Sequence, residues 1–185
     1  MSSTNRGVVR EKDDLYETPG WVTELLLKEE IFVGEILEPA VGRGKIKKVL
    51  ENKGLKVTGL DINPEFKPDI TLDFRNYSKE ASNIITNPPF IFALEYVKKC
   101  LEIVKKGGKV ALLLRLNFLE SKKRYVFFKE NMPKKLIVLS ERPKFLNNKT
   151  DSICYSWFVW EKGWSGETVL KLVSKTDLSR LSGFF

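Results

Sequence analysis

The chain contains no histidine and only two cysteines, Cys100 and Cys154, among 185 residues. Four histidine or cysteine ligands therefore cannot be assembled, which argues against a structural zinc site. The commonest general base is missing too, so any chemistry here must run without imidazole. No apolar run approaches the length of a membrane span. The N-terminus, Met1-Ser2-Ser3-Thr4-Asn5-Arg6, has no apolar stretch of the secretory kind. Both cysteines sit inside apolar patterns and read as buried free thiols, in keeping with a reducing, cytoplasmic setting.

What is present fits one soluble domain with one substantial core: 42% hydrophobic and 30% charged residues. The net charge of +8 and pI near 9.4 favour a polyanionic partner such as nucleic acid; no membrane partner is expected.

Residues 1–15 are polar and are expected to be flexible; residues 16–185 read as a single domain. Thr18-Pro19 resembles an N-cap followed by a proline in the first helical turn, and the helix is expected to run to about Glu30. Apolar runs bounded by turn residues place strands at Glu35–Glu38, Leu55–Leu60, Ile70–Leu72, Ile84–Thr86, Val110–Leu114, Leu136–Leu139 and Ile153–Trp160. Helical periodicity falls between them, with a helix over 91–105 stopped by Gly107-Gly108. The expectation is an α/β fold: seven strands in a mostly parallel sheet, helices on both faces, and the last two strands closing as an antiparallel hairpin. The tail after Gly163 has no clear assignment.

The most specific segment is Asn87-Pro88-Pro89-Phe90. Two prolines exclude a helix interior or a central strand and stiffen the backbone. The Pro88 carbonyl is thereby aimed in a fixed direction beside the Asn87 carboxamide. Two rigid acceptors next to an aromatic ring suit a planar group bearing an NH₂.

In open α/β sheets ligands bind beyond the carboxyl ends of the strands. The ends of the first four carry Glu38, Asp61, Asp73 and Asn87. Gly42 and Gly44 let the turn after the first strand approach a ligand closely. That turn is not the Gly-x-Gly-x-x-Gly dinucleotide fingerprint. Asp61 stands 23 residues beyond Glu38, near the offset at which an acid reaches ribose hydroxyls. An acid-rich site disfavours a pyrophosphate and suits a ribose plus a cation, as in S-adenosyl-L-methionine. Each acid also has a plainer reading: Asp61 as a turn former, Asp73 as a helix cap, Glu38 as an exposed strand end.

Taken together these segments resemble the amino-group methyltransferases that use S-adenosyl-L-methionine, of the Rossmann-like class. They are most similar to small phage and prokaryotic adenine-specific DNA methyltransferases. Tyr16-Glu17-Thr18-Pro19 resembles the N-terminal cofactor motif, and Glu38-Pro39-Ala40-Val41-Gly42-Arg43-Gly44 the glycine motif in its Glu-Pro form. By this resemblance Asp61, with Ile62 beside it, holds the cofactor ribose, and Asp73-Phe74 reads and stacks on its adenine. Asn87, Pro88, Pro89 and Phe90 form the catalytic motif. Arg142-Pro143-Lys144-Phe145 resembles a later motif near the target base, which makes Phe90, Arg142 and Phe145 candidate substrate contacts. By this resemblance the motif order would put a target-recognition domain last, and because the sheet uses up most of the residues after the catalytic motif, no separate domain is expected.

The substrate so implied is an exocyclic amine of a nucleobase, adenine in DNA. The alternatives are RNA adenine or guanine, a protein glutamine, or a binding module with a vestigial cofactor fold. Phe145 has a second reading as the aromatic anchor of the last hairpin. Lys122-Lys123-Arg124 and Lys134-Lys135 read either as phosphate contacts or as solvated surface. Trp157 and Trp160 read as core.

Overall fold

The computed structural model describes residues 17–145 and 152–181. The segment 1–15 and Tyr16 lie outside the described residues.

Eight strands form one sheet: β1 Ile36–Glu38, β2 Val57–Asp61, β3 Ile70–Thr71, β4 Ala81–Thr86, β5 Val104–Arg115, β6 Lys135–Leu139, β7 Tyr155–Glu161 and β8 Val169–Val173. Their spatial order is β3-β2-β1-β4-β5-β7-β6-β8. All neighbours pair in parallel except β7, which lies antiparallel between β5 and β6. The helices are α1 Gly20–Glu29, α2 Lys45–Asn52, α3 Ala93–Ile103 and α4 Lys122–Glu130.

Alternation along the strands sends side chains to two cores. Val110, Leu112 and Leu114 join Leu136, Val138, Phe158 and Trp160 under α3 and α4. Ala111 and Leu113 join Ile137, Tyr155, Trp157 and Val159 under α1 and α2. This is the period of two expected of a strand covered on both faces. Trp157 and Trp160 are both buried, and their indole N–H groups donate to the Val22 and Asn131 carbonyls, each at 2.9 Å.

Several expectations are corrected. The sheet has eight strands rather than seven. β8 escaped notice because only Val173 is buried along it, while Leu170 and Leu172 remain 63% and 68% exposed. The Gly107-Gly108 pair does not stop α3, which ends at Ile103 and passes directly into β5. These glycines lie inside β5, where the pairing with β4 shifts register. A Cβ on Gly108 would come within 2.2 Å of the Ser82 carbonyl oxygen, so the close approach of the two chains requires glycine. Thr18 is not the N-cap of α1; Pro19 holds that position and makes no side-chain cap. Cys154 is exposed, just ahead of β7, although Cys100 is buried.

The strand order reverses between β1 and β4, with β2 and β3 continuing on one side and β5 on the other. The carboxyl ends at such a reversal flank a crevice. Glu38 and the segment starting at Asn87 stand at this point.

Candidate active site

A cavity of about 410 Å³ opens at these strand ends, lined among others by Thr18, Glu38, Gly42, Asp61, Phe74 and Asn87. That volume is within the range of small-molecule and cofactor sites.

Each wall follows from local sequence. Glu38 closes β1 and is 1% exposed, which excludes the exposed strand end as its reading. Its Oε2 is buried and has no hydrogen-bond partner among the described residues. Burial pushes its carboxyl well above the ordinary value of 4.5; the Lys47 backbone N–H and charge oppose the shift, and the charges of Asp61 and Glu51 add to it. A buried carboxylate of this kind is costly unless a cation joins it.

The Pro39–Gly44 turn follows Glu38 at the end of β1. Gly42 and Gly44 take positive φ of 49° and 72°, conformations that side chains with a Cβ rarely adopt. The turn is tied down by the Gly42 N–H, which donates to Asp61 Oδ2 at 2.8 Å. Asp61 Oδ1 accepts from the Asn63 N–H at 2.9 Å. Asp61 is thus a turn former and a cavity wall at once, 9% exposed at the end of β2.

Asp73 caps a short 3-10 turn, Phe74–Asn76, by accepting from the Arg75 N–H at 3.0 Å. The Arg75 guanidinium also binds it, and this bond holds the Asp73 carboxyl below its usual range. Arg75 lies 5.3 Å over the Phe92 ring. Phe74 is buried and tilted against Tyr96 at 5.1 Å. Arg75, Phe92 and Tyr96 therefore belong to this end of the cavity together with Ile62 and Phe66. Sequence reading missed Arg75, Phe92, Tyr96 and Phe66, whose spacing matches no pattern.

Asn87 follows β4 directly. Its Nδ2 donates to Thr18 Oγ1 at 3.1 Å, across 69 residues of chain. With Nδ2 turned to Thr18, Oδ1 is left as the acceptor end of the carboxamide. Thr18 is buried and lines the cavity, so its role is to hold Asn87 rather than to cap α1. Pro88 is buried and Pro89 reaches the cavity wall. Phe90 begins the next 3-10 turn, Phe90–Phe92, and does not line the cavity.

The other candidates separate. Pro39 and Ala40 line the cavity; Pro19 and Gly44 adjoin it in sequence without lining it. Arg142 is exposed and Phe145 is buried, edge-on to Tyr155 at 4.9 Å; neither lines the cavity. The placement of Phe145 matches the hairpin-anchor reading. Lys134 pairs with Glu161 and Lys135 with Glu30, each at 2.7 Å, so both are tied into ion pairs within the protein. Arg124 donates to the Glu120 and Asn117 carbonyls and covers Phe118 at 5.0 Å, a structural use. Lys122 and Lys123 are exposed.

Among solved structures the fold has many counterparts. A Listeria monocytogenes protein described as a candidate class I S-adenosylmethionine-dependent methyltransferase shares 19% identity at a TM-score of 0.63, over 90% of this chain and 68% of that one. A candidate RNA methyltransferase of Pyrococcus horikoshii shares 19% identity at 0.60, over 88% and 92%. The M protein of the type I restriction enzyme EcoKI shares 16% at 0.61, over 83% of this chain and 45% of its own. This chain thus spans under half the length of that M protein. No protein-family model matches the chain, and no curated protein matches it by sequence. What is shared at these identities is the class I S-adenosylmethionine-dependent methyltransferase fold.

Proposed function

We propose that the protein is an S-adenosyl-L-methionine-dependent methyltransferase acting on the exocyclic amine of a nucleobase, adenine in DNA. The observation that carries the reading is the pairing of two features across one crevice: the orphaned Glu38 Oε2 and the Asn87 carboxamide held by Thr18.

The residues fit the cofactor. Glu38 offers a buried acceptor to a cationic group, Asp61 offers acceptors to ribose hydroxyls, and Phe74, Phe92 and Tyr96 offer apolar surface to an adenine. When bound, S-adenosyl-L-methionine supplies an activated methyl group. Asn87 Oδ1 and the Pro88 carbonyl would accept the two hydrogens of the substrate amine. Those bonds draw the nitrogen lone pair out of conjugation and orient it, and they strengthen as positive charge develops on nitrogen. Positioning of this kind lowers a barrier by several kcal/mol, up to roughly 7–11 in the best cases. The extra proton leaves to water, which agrees with a chain that has no histidine. A base reaches such a site only when flipped out or single-stranded, and Phe90 would stack on it.

RNA is the second reading. It is favoured by the P. horikoshii protein, matched over 92% of its own length. Tritiated cofactor incubated with duplex DNA, single-stranded DNA and RNA, followed by nucleoside analysis, separates the two. Asn87→Ala should cut methyl transfer by at least about 100-fold and leave cofactor affinity within a few-fold. Undiminished turnover in that variant removes Asn87 from the chemistry.

A further inference from the structure

Phe90 has surroundings supplied by two distant strands. Arg115 is the last residue of β5 and sits opposite Tyr155, the first residue of β7. The Arg115 guanidinium carbon lies 4.7 Å from the Phe90 ring centroid. Its Nε donates to Tyr155 Oη at 3.3 Å. The Tyr155 ring is 0% exposed and stands 5.8 Å from the Phe90 ring, tilted by 44°. Behind it Phe145 packs edge-on against Tyr155.

The five residues before Arg115, Val110–Leu114, are all buried and apolar. A cation ending such a run, at the carboxyl edge where the sheet presents its ligands, is not needed to fill the core. Arginine can stack on a ring face while donating sideways within its own plane, which lysine cannot do. Here it does both, and so fixes the orientation of Phe90 relative to a buried tyrosine.

We propose that Arg115 is a positioning residue for the target nucleotide. It clamps Phe90 as a stacking platform beside Asn87 and makes the mouth of the target site cationic, which suits a nucleic acid and disfavours a neutral glutamine side chain. This inference rests on the reading of Asn87–Phe90 as the catalytic segment. Phe145, two rings removed from the platform, supports Tyr155 instead of covering the base.

The test is steady-state kinetics on whichever oligonucleotide the wild-type protein methylates. Arg115→Ala should raise KM for the oligonucleotide about tenfold, with kcat within about threefold and cofactor affinity by calorimetry unchanged. In a Phe90→Leu background the same change should add little, because Arg115 then has no aromatic ring to clamp. Arg115→Lys, which keeps the charge and loses the flat face, should retain most of the defect. A wild-type KM in Arg115→Ala, multiplicative defects in the double variant, or full rescue by lysine would each overturn the proposal. Should Arg115→Ala not fold, the lysine variant decides alone. A wild-type protein that binds the cofactor yet labels no nucleic acid sinks the catalytic reading itself, and this proposal with it.

Discussion

Replacing Glu38 with glutamine keeps the shape of the side chain and removes its charge. In the ligand-free protein that charge has little support: Glu38 is 1% exposed, Oε2 has no partner among the described residues, and burial drives its carboxyl well above 4.5. A raised carboxyl pKa means that the native state holds its proton more tightly than the unfolded chain. The contribution to stability is therefore complete below about pH 4.5 and is lost as pH climbs through the native value. Glutamine does not titrate, so Glu38→Gln should be no less stable than wild type at neutral pH, and its melting temperature should lack this pH-dependent fall.

Binding should move the other way. A cation meeting the charged carboxylate gains a charge-assisted hydrogen bond worth about 1.5–3 kcal/mol, which is roughly 10- to 150-fold in Kd. Glu38→Gln should weaken S-adenosyl-L-methionine by that factor. In wild type, binding should release a proton at pH values below the free carboxyl's pKa, so affinity rises with pH and then levels off; in the variant the slope should vanish. Calorimetry in two buffers of different ionisation enthalpy reads Kd and proton release together, and thermal melts read the stability. An unchanged Kd, or an unchanged pH slope in the variant, would refute the assignment of Glu38 to the cationic end of the ligand.

Two further outcomes follow from geometry. Thr18→Val deletes the hydroxyl that accepts from Asn87 Nδ2 while keeping the volume; kcat should fall about tenfold, one lost hydrogen bond, and Thr18→Ser should restore it in a single-turnover assay. Glu30 is buried between Lys109 at 2.5 Å and Lys135 at 2.7 Å; burial works to raise its pKa, and the two ammonium partners outweigh that and hold it below 4.5. Its stabilisation should thus be present above about pH 4.5 and be lost as pH falls through the lower native value. Glu30→Ala should cost about 3 kcal/mol at neutral pH and leave the acid limb of a urea-denaturation profile flatter.

The parts of the fold that sequence makes legible are those where one local pattern has one cause. Apolar runs ending in Glu38, Asp61 and Asn87 mark strand ends because the run is buried and the next residue meets the crevice. Pattern fails where burial is one-sided or pairing is irregular. β8 exposes every residue but Val173, so it leaves no alternation to read. The start of β5 hides behind Gly107-Gly108, which locally spell the end of a helix and in three dimensions serve a register shift against β4. The Asp73 carboxylate looks from sequence like a ligand group and does line the cavity; its bond to Arg75, two residues on, is what the sequence did not announce.

Side-chain partnerships across long separations were the least legible, and they are what turns strand ends into a site. Asn87 alone is an acceptor of unspecified orientation; Thr18, 69 residues earlier, gives it one. Phe90 alone is one aromatic among 12 phenylalanines; Arg115 and Tyr155 give its ring a fixed attitude. Both partners come from elements flanking β4, α1 through its preceding loop on one face and the β5–β7 pair at the side. The proposed catalytic segment is rigid in its backbone because of two prolines, but its Asn87 and Phe90 side chains are oriented from outside. A substitution in Thr18 or Arg115 should accordingly damage one function each, turnover for the first and target binding for the second, with the cofactor cavity left intact.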